Sequence, residues 1–94
     1  MQFLIEKLDG RHNASLVFTH RAWIRGTGHA ERKQNFIQMR EWCWETFGPG
    51  CERDLVWYNG NITYSWAFHY DQRQGSLYIY LKEELLTAFL LKWN

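Results

Sequence analysis

The sequence predicts an α+β fold, in which an antiparallel sheet of about five strands packs against one long central helix and a short C-terminal helix. The predicted order of elements is β-β-α-β-β-β-α. Three patterns support this fold: a long helical stripe bounded by glycines, a strand-like alternation over residues 62–70, and the hairpin signal Asn59-Gly60-Asn61 just before it. A chain of 94 residues is expected to form one domain over 1-94.

The central helix is predicted between Gly28 and the Gly48-Pro49-Gly50 stretch. Its apolar residues recur at spacings of three and four, on one side of a helix: Phe36, Met39, Cys43 and Phe47. Gly28 is a suitable N-cap, and a proline between two glycines cannot continue a helix. A second, shorter helix is predicted from Glu83 to about Leu91, with acidic residues at its start and Lys92 at its end.

The strands are predicted from alternation and turn signals. Two precede the central helix and three follow it: Phe3 to Leu8, Ser15 to Ile24, Asp54 to Tyr58, Ile62 to Tyr70, and Leu77 to Leu81. The first two are expected to form a hairpin. In the second strand one face is predicted to hold Leu16, Phe18, Ala22 and Ile24. In the last two strands the helix-facing set is Ile62, Tyr64, Trp66, Phe68, Tyr70, Leu77, Ile79 and Leu81. This arrangement points Tyr78 and Tyr80 to the opposite face.

Charge is unevenly distributed, although the net charge is only +1. Residues 1–40 carry seven Lys or Arg and three acidic residues, for a net charge of +4. Residues 41–94 carry four Lys or Arg and seven acidic residues, for a net charge of −3. A basic end and an acidic end suit a protein that meets an acidic partner, and the overall balance is unlike that of a dedicated nucleic-acid binder. No run of apolar residues is long enough to span a membrane, and the N-terminus does not resemble a signal peptide, so we expect a cytoplasmic protein.

The stretch Arg25-Gly26-Thr27-Gly28-His29-Ala30 joins a predicted strand to the central helix. Backbone donors at a helix N-terminus can hold an anion. The candidate phosphate-binding or nucleic-acid-binding residues are Arg21, Arg25, Gly26, Gly28, Arg32 and Lys33. The stretch also resembles the coenzyme A loop of GNAT-type acetyltransferases, at Arg25, Gly28 and Ala30, which would imply acyl transfer. The other interpretation is an ordinary turn and helix cap.

Histidine and cysteine positions do not suggest a metal or catalytic centre. No pair of His12, His20, His29, His69, Cys43 and Cys51 has the spacing of a zinc site, so we predict no metal and no cofactor. Cys43 is expected in the core, and the sequence leaves open whether it pairs with Cys51. His69 and Asp71 share a strand face, either as base and orienting carboxylate or as a surface hydrogen bond.

Aromatic residues make up 18% of the chain, with six Trp, five Tyr and six Phe. A core of this size cannot cover all of them, and exposed Trp and Tyr are favoured at protein interfaces. The candidate protein-binding residues are Trp23, Trp42, Trp44, Tyr78 and Tyr80. Trp42 and Trp44 lie to either side of the core stripe, so either the two helices pack side by side or one helix edge binds another chain. An alternative is that single-stranded bases stack on an aromatic and basic surface, which would consist of Tyr78, Tyr80, Trp23 and Arg21.

The helix end from Trp42 to Gly48 and the tail from Phe89 to Trp93 resemble small orphan proteins of tailed bacteriophages. That resemblance implies a phage-encoded inhibitor or accessory factor that acts on a host protein or defence complex in the host cytoplasm. We therefore expect a non-catalytic protein-binding module rather than an enzyme, with a host protein or a second copy of itself as partner. The alternatives are a nucleic-acid or phosphate binder and a truncated GNAT-like acyltransferase.

Overall fold

The computed structural model describes residues 3–10, 17–53, 64–71, 73 and 75–93. Five strands and two helices lie within these ranges. In chain order they are β1 (Phe3–Lys7), β2 (His20–Ile24), α1 (His29–Phe47), β3 (Cys51–Glu52), β4 (Trp66–Asp71), β5 (Ser76–Leu81) and α2 (Glu83–Trp93). The predicted α+β class is confirmed.

The strands form one sheet in the order β1-β2-β5-β4-β3. Neighbouring strands are antiparallel, except that β3 pairs parallel with β4, so the sheet is mixed and mostly antiparallel. The predicted hairpin of the first two strands is confirmed, with Phe3 opposite Ile24 and Lys7 opposite His20. The last strand of the sheet, β5, lies at its centre and joins the β1–β2 hairpin to β4.

Strand boundaries differ from the predictions after the helix. β3 begins at Cys51, directly after the glycine-proline stop, at a position where no strand was predicted. The predicted strand from Asp54 to Tyr58 and the Asn59-Gly60-Asn61 hairpin lie outside the described residues. β4 begins at Trp66, later than predicted, because Tyr64 and Ser65 precede the regular ladder.

The main core lies between one face of the sheet and the two helices. The sheet contributes Ala22, Ile24, Trp66, Leu77, Ile79 and Leu81, and the helices contribute Phe36, Met39, Cys43 and Phe89. The predicted α1 stripe is therefore confirmed, with Phe47 partly buried beside it. Phe68 and Tyr70 pack against the same core, as expected from their place in the β4 alternation.

The two helices lie side by side on this face. Trp42 of α1 contacts Phe89 and Trp93 of α2, with ring centroids 6.2 and 5.9 Å apart. Of the two arrangements considered for the tryptophans of α1, helix pairing is correct on the Trp42 side. Trp44 points away from α2 and contacts the edge of Trp66, at 6.4 Å between centroids.

Phe18 departs from its predicted face. It is buried with Leu8, Ala67 and Tyr80 on the sheet face opposite the helices, whereas Ala22 faces the helices. The cause is that β2 begins only at His20 and residues 17–19 are not part of the strand, so the two-residue alternation does not extend back to Phe18. Neither described helix is long and apolar enough to cross a lipid bilayer.

Candidate functional site

The sheet face opposite the helices carries two cross-strand rows of side chains. Strand register places the first row in the order Leu4, Trp23, Tyr78 and His69, on β1, β2, β5 and β4. The second row is Glu6, Arg21, Tyr80, Ala67 and Cys51, and it extends to β3. Residues directly opposite each other on one face are within contact distance, so each row forms a continuous surface.

The second row is largely covered. Leu8 and Phe18 pack over Ala67 and Tyr80, and the Phe18 and Tyr80 rings are 6.0 Å apart. Tyr80 is only 1% exposed. It lies on the predicted face, but the expectation that its ring is exposed is wrong, because Leu8 and Phe18 pack over it.

The first row is open to solvent at its β1 end. Leu4 is 50% exposed, and its cross-strand neighbour Trp23 is half-buried, as is Tyr78 on the next strand. The rings of Trp23 and Tyr78 are 6.3 Å apart and tilted by 36°. We call Leu4, Trp23 and Tyr78, with the two arginines described next, the platform.

Two guanidinium groups lie over the platform rings. Arg25 lies 4.6 Å from the centroid of the Trp23 ring and Arg21 lies 4.3 Å from that of Tyr78, both within the range of cation–π attraction. Arg21 also donates two hydrogen bonds to Glu6, of 3.0 and 2.8 Å. Burial lowers the pKa of Arg21, but its interactions with Glu6 and Tyr80 raise it by more, so the net pKa lies above the ordinary value. Arg21 is therefore charged and paired, whereas Arg25 is exposed.

His69, at the β4 end of the first row, belongs to a polar network. Its Nδ1 lies 2.5 Å from Glu52 Oε1, and its Nε2 lies 3.2 Å from Nη2 of Arg53. The other terminal nitrogen of Arg53, Nη1, donates to the Tyr80 hydroxyl at 3.1 Å. A guanidinium can only donate, so Nε2 accepts and Nδ1 carries the proton given to Glu52. The lone pair that a general base would use is occupied.

The sequence paired His69 with Asp71, but the structure gives it Glu52 instead. Asp71 accepts a hydrogen bond from the backbone N–H of Arg73, at 3.0 Å. The sequence did not suggest Glu52, because only the parallel pairing of β3 with β4 brings it beside the histidine.

The loop before α1 leads into the helix at Gly28, and a carboxylate lies in the first helical turn. Gly28 is the N-cap in an extended conformation, and Thr27 donates a hydrogen bond of 2.5 Å to Glu31 in the first turn. Gly26 packs closely on Arg32, since a Cβ at Gly26 would lie 2.9 Å from the Arg32 backbone nitrogen. A phosphate here would compete with the Glu31 carboxylate.

The four cations predicted to hold an anion do not converge on the loop before α1. Arg21 and Arg25 lie over the platform rings, and Arg32 packs against Gly26, with its Nε buried and without a hydrogen-bond partner in the described part of the chain. Lys33 lines a small cleft on the helix-covered side of the sheet.

That cleft lies between α1 and the ends of β4 and β5. It has a volume of about 130 Å³, and it is lined by Lys33, Phe36, Ile37, Arg40, Tyr70 and Leu77. The Arg40 guanidinium lies 5.4 Å from the Phe36 centroid and 5.2 Å from that of Phe68. One turn beyond Arg40, Trp44 is 51% exposed.

The two cysteines lie on opposite sides of the sheet, so they form no disulfide with each other. Cys43 is in the main core, and burial raises the pKa of its thiol to about 12. Cys51 packs beside Tyr80's cluster on the other face. Within the described ranges, no three histidine, cysteine or acidic side chains converge on a position suited to a metal ion.

Comparison with protein families, with curated proteins and with solved structures found no match to this chain.

Proposed function

We propose that this protein is a non-catalytic protein-binding module whose recognition surface is the platform. Because parts of the sequence resemble small phage proteins, we propose that the partner is a host protein, which the module inhibits or assists. The observation that carries the proposal is the exposure of Leu4 beside Trp23 and Tyr78, an apolar row that no described element covers. Large aromatic side chains next to arginine are the composition of interface hot spots.

The geometry of the rings favours a protein over single-stranded nucleic acid. A nucleic-acid base stacks on a free ring face. Here Arg25 lies over one face of the Trp23 ring and Arg21 lies over one face of the Tyr78 ring, so neither of these faces is free for a base. Glu6 also compensates the charge of Arg21, which leaves Arg25 as the exposed cation of the platform. A surface of this kind suits a mixed apolar and polar protein patch.

Leu4→Ser tests the proposal, with Leu91→Ser as the matched control. Leu91 is also an exposed leucine, at 81%, but it lies on α2, away from the platform. Wild type and the Leu4→Ser, Trp23→Ala and Leu91→Ser variants are immobilised at equal density and exposed to bacterial lysate, and the retained proteins are quantified. We expect a retained protein that is lost with Leu4→Ser and with Trp23→Ala and kept with Leu91→Ser. Equal retention by all four proteins would contradict the proposal.

Self-association is the other form of protein binding, and light scattering distinguishes it. A dimer of the wild type that dissociates in Leu4→Ser but not in Leu91→Ser would identify a second copy as the platform's partner. A monomeric wild type leaves the foreign partner as the only form of the proposal.

Single-stranded nucleic acid is the alternative, because two aromatic rings on adjacent strands beside two arginines are also a base-stacking arrangement. Fluorescence anisotropy with labelled oligothymidine measures it. Binding that weakens log-linearly with salt and is abolished by Trp23→Ala would favour the alternative. The platform proposal expects no saturable binding at low salt.

A further inference from the structure

We propose that the exposed edge of α1 is a second docking surface, which binds an acidic amphipathic helix of a partner protein. The surface consists of Lys33, Ile37, Arg40 and Trp44, which we call the α1 edge stripe. Their spacings of four, three and four residues place them within about 60° of one another around the helix axis. The proposal concerns a different surface from the platform, so it does not depend on the proposed function.

The stripe is separate from the helix positions that form the core. Phe36, Met39 and Cys43 face the sheet, and Trp42 faces α2, whereas the stripe lies toward β4 on the other side. No described element packs over it from outside. Ile37 is half-buried at the cleft, and Trp44 is 51% exposed, so two large apolar side chains remain accessible on one line.

The chemistry of the stripe indicates what covers it. Cations and apolar side chains alternate along it, and within the described part of the chain neither Lys33 nor Arg40 pairs with a carboxylate. Arg40 is held in place by the rings of Phe36 and Phe68 beneath it. A partner that complements this pattern places carboxylates opposite the two cations and apolar side chains opposite Ile37 and Trp44.

The spacing fits a helix that lies along α1. Lys33 and Arg40 are seven residues apart, or about 10 Å along the helix axis. One small organic acid cannot reach both cations while it fills the cleft between them. A helix with acidic residues two turns apart and leucines between them matches both cations and the cleft, and it packs along α1 as helices in bundles do.

The probe is a synthetic peptide of about 18 residues, long enough to form a helix, with Glu and Leu alternating at spacings of four, three and four. It is titrated into ¹⁵N-labelled protein and followed by two-dimensional NMR. We expect saturable shifts of the amides of residues 33–44 and of Phe68 and Tyr70. A peptide with Lys in place of each Glu should not bind. No saturable shift, or equal binding of the Lys peptide, would overturn the proposal.

Charge neutralisation identifies the groups responsible. Lys33→Gln combined with Arg40→Gln should weaken binding about fivefold, as expected for one exposed and one partly exposed ion pair. The matched control, Lys7→Gln with Lys92→Gln, removes the same charge from exposed lysines outside the stripe and should leave the dissociation constant unchanged. Equal weakening by both double variants would show that only net charge matters, against the proposal.

Two further variants guard against a folding artefact, because Arg40 packs on aromatic rings. Lys33→Gln alters an exposed side chain and should weaken binding about twofold without changing the melting temperature. Arg40→Lys keeps the charge and should retain most of the affinity. Leu4→Ser should have no effect on the peptide. Shifts of the same amides by oligothymidine, or with increasing protein concentration alone, would assign the stripe to nucleic acid or to self-association and overturn the proposal.

Discussion

Replacing Gly50 by alanine should destabilise the protein, because the added methyl group has no space. A Cβ at Gly50 would lie 2.4, 2.7 and 2.7 Å from three ring atoms of Trp66, where ordinary contacts are longer than 3.4 Å. The indole cannot easily move aside. It is fully buried, it contacts the rings of Trp44 and Phe68, and its Nε1–H donates to the Gly48 carbonyl at 2.9 Å.

The expected cost combines two effects. Forcing a methyl group into a packed site costs about 1–3 kcal/mol. Displacing the indole also weakens its hydrogen bond to Gly48, worth about 1 kcal/mol. The lower conformational freedom of alanine in the unfolded chain offsets less than about 1 kcal/mol. We therefore expect a loss of about 2–3 kcal/mol in the free energy of unfolding, or roughly 8–24 °C in melting temperature for a domain of this size.

Urea and thermal unfolding, followed by circular dichroism, measure this loss. Gly10→Ala is the matched control, since a Cβ there meets no atom within 4 Å, and it should change stability by less than about 0.5 kcal/mol. Trp66→Phe has a smaller ring and relieves part of the clash, so the two destabilisations should add less than fully in the Gly50→Ala, Trp66→Phe double variant. If Gly50→Ala and Gly10→Ala unfold at the same urea concentration and the same temperature, the reasoning is refuted.

The two tryptophans of α1 should respond differently to truncation: Trp42→Ala removes the contacts with Phe89 and Trp93 and should cost about 2–4 kcal/mol, whereas Trp44→Ala, at an exposed ring, should cost about 1 kcal/mol or less in urea unfolding. Equal losses would contradict the side-by-side helix arrangement. In the native protein an Ellman assay should modify Cys51 and spare Cys43, whose burial raises its pKa to about 12, and Cys51→Ser should abolish the native reaction. Because the folded state keeps the Cys43 proton that the unfolded state loses above pH ~9, this thiol's contribution to stability should fall above that pH by up to about 1.4 kcal/mol per unit, a slope that Cys43→Ala removes.

Much of the fold follows from periodicity alone. The α1 stripe, the β1–β2 hairpin and the inward set of β5 are all patterns local to one segment, and the structure has them as predicted. The two-residue strand β3 could not be predicted, because so short a segment has no period. Its parallel pairing with β4 is a long-range contact that no local pattern encodes.

The candidate surface was harder to predict, since exposure depends on what folds over a strand. The alternation of β5 places Tyr78 and Tyr80 on one face. Only the packing of Phe18 on Tyr80 makes Tyr80 buried while Tyr78 stays half-buried. Leu4 was missed for a similar reason. Its strand alternates weakly, and its importance comes from lying opposite Trp23 in the β1–β2 register. The α1 edge stripe did have a sequence signal, the four-three-four spacing from Lys33 to Trp44.

The central position of β5 also has a consequence for how the chain folds. His20 pairs with Leu81, so the contact that joins the hairpin to the rest of the sheet spans most of the sequence. Such distant pairing is slow to form. During synthesis, β1, β2 and α1 leave the ribosome long before β5, with Ala22, Ile24 and Met39 still uncovered. Until β5 emerges, the nascent chain therefore exposes this apolar face to chaperones, and a truncation ahead of Ser76 would leave the face permanently exposed.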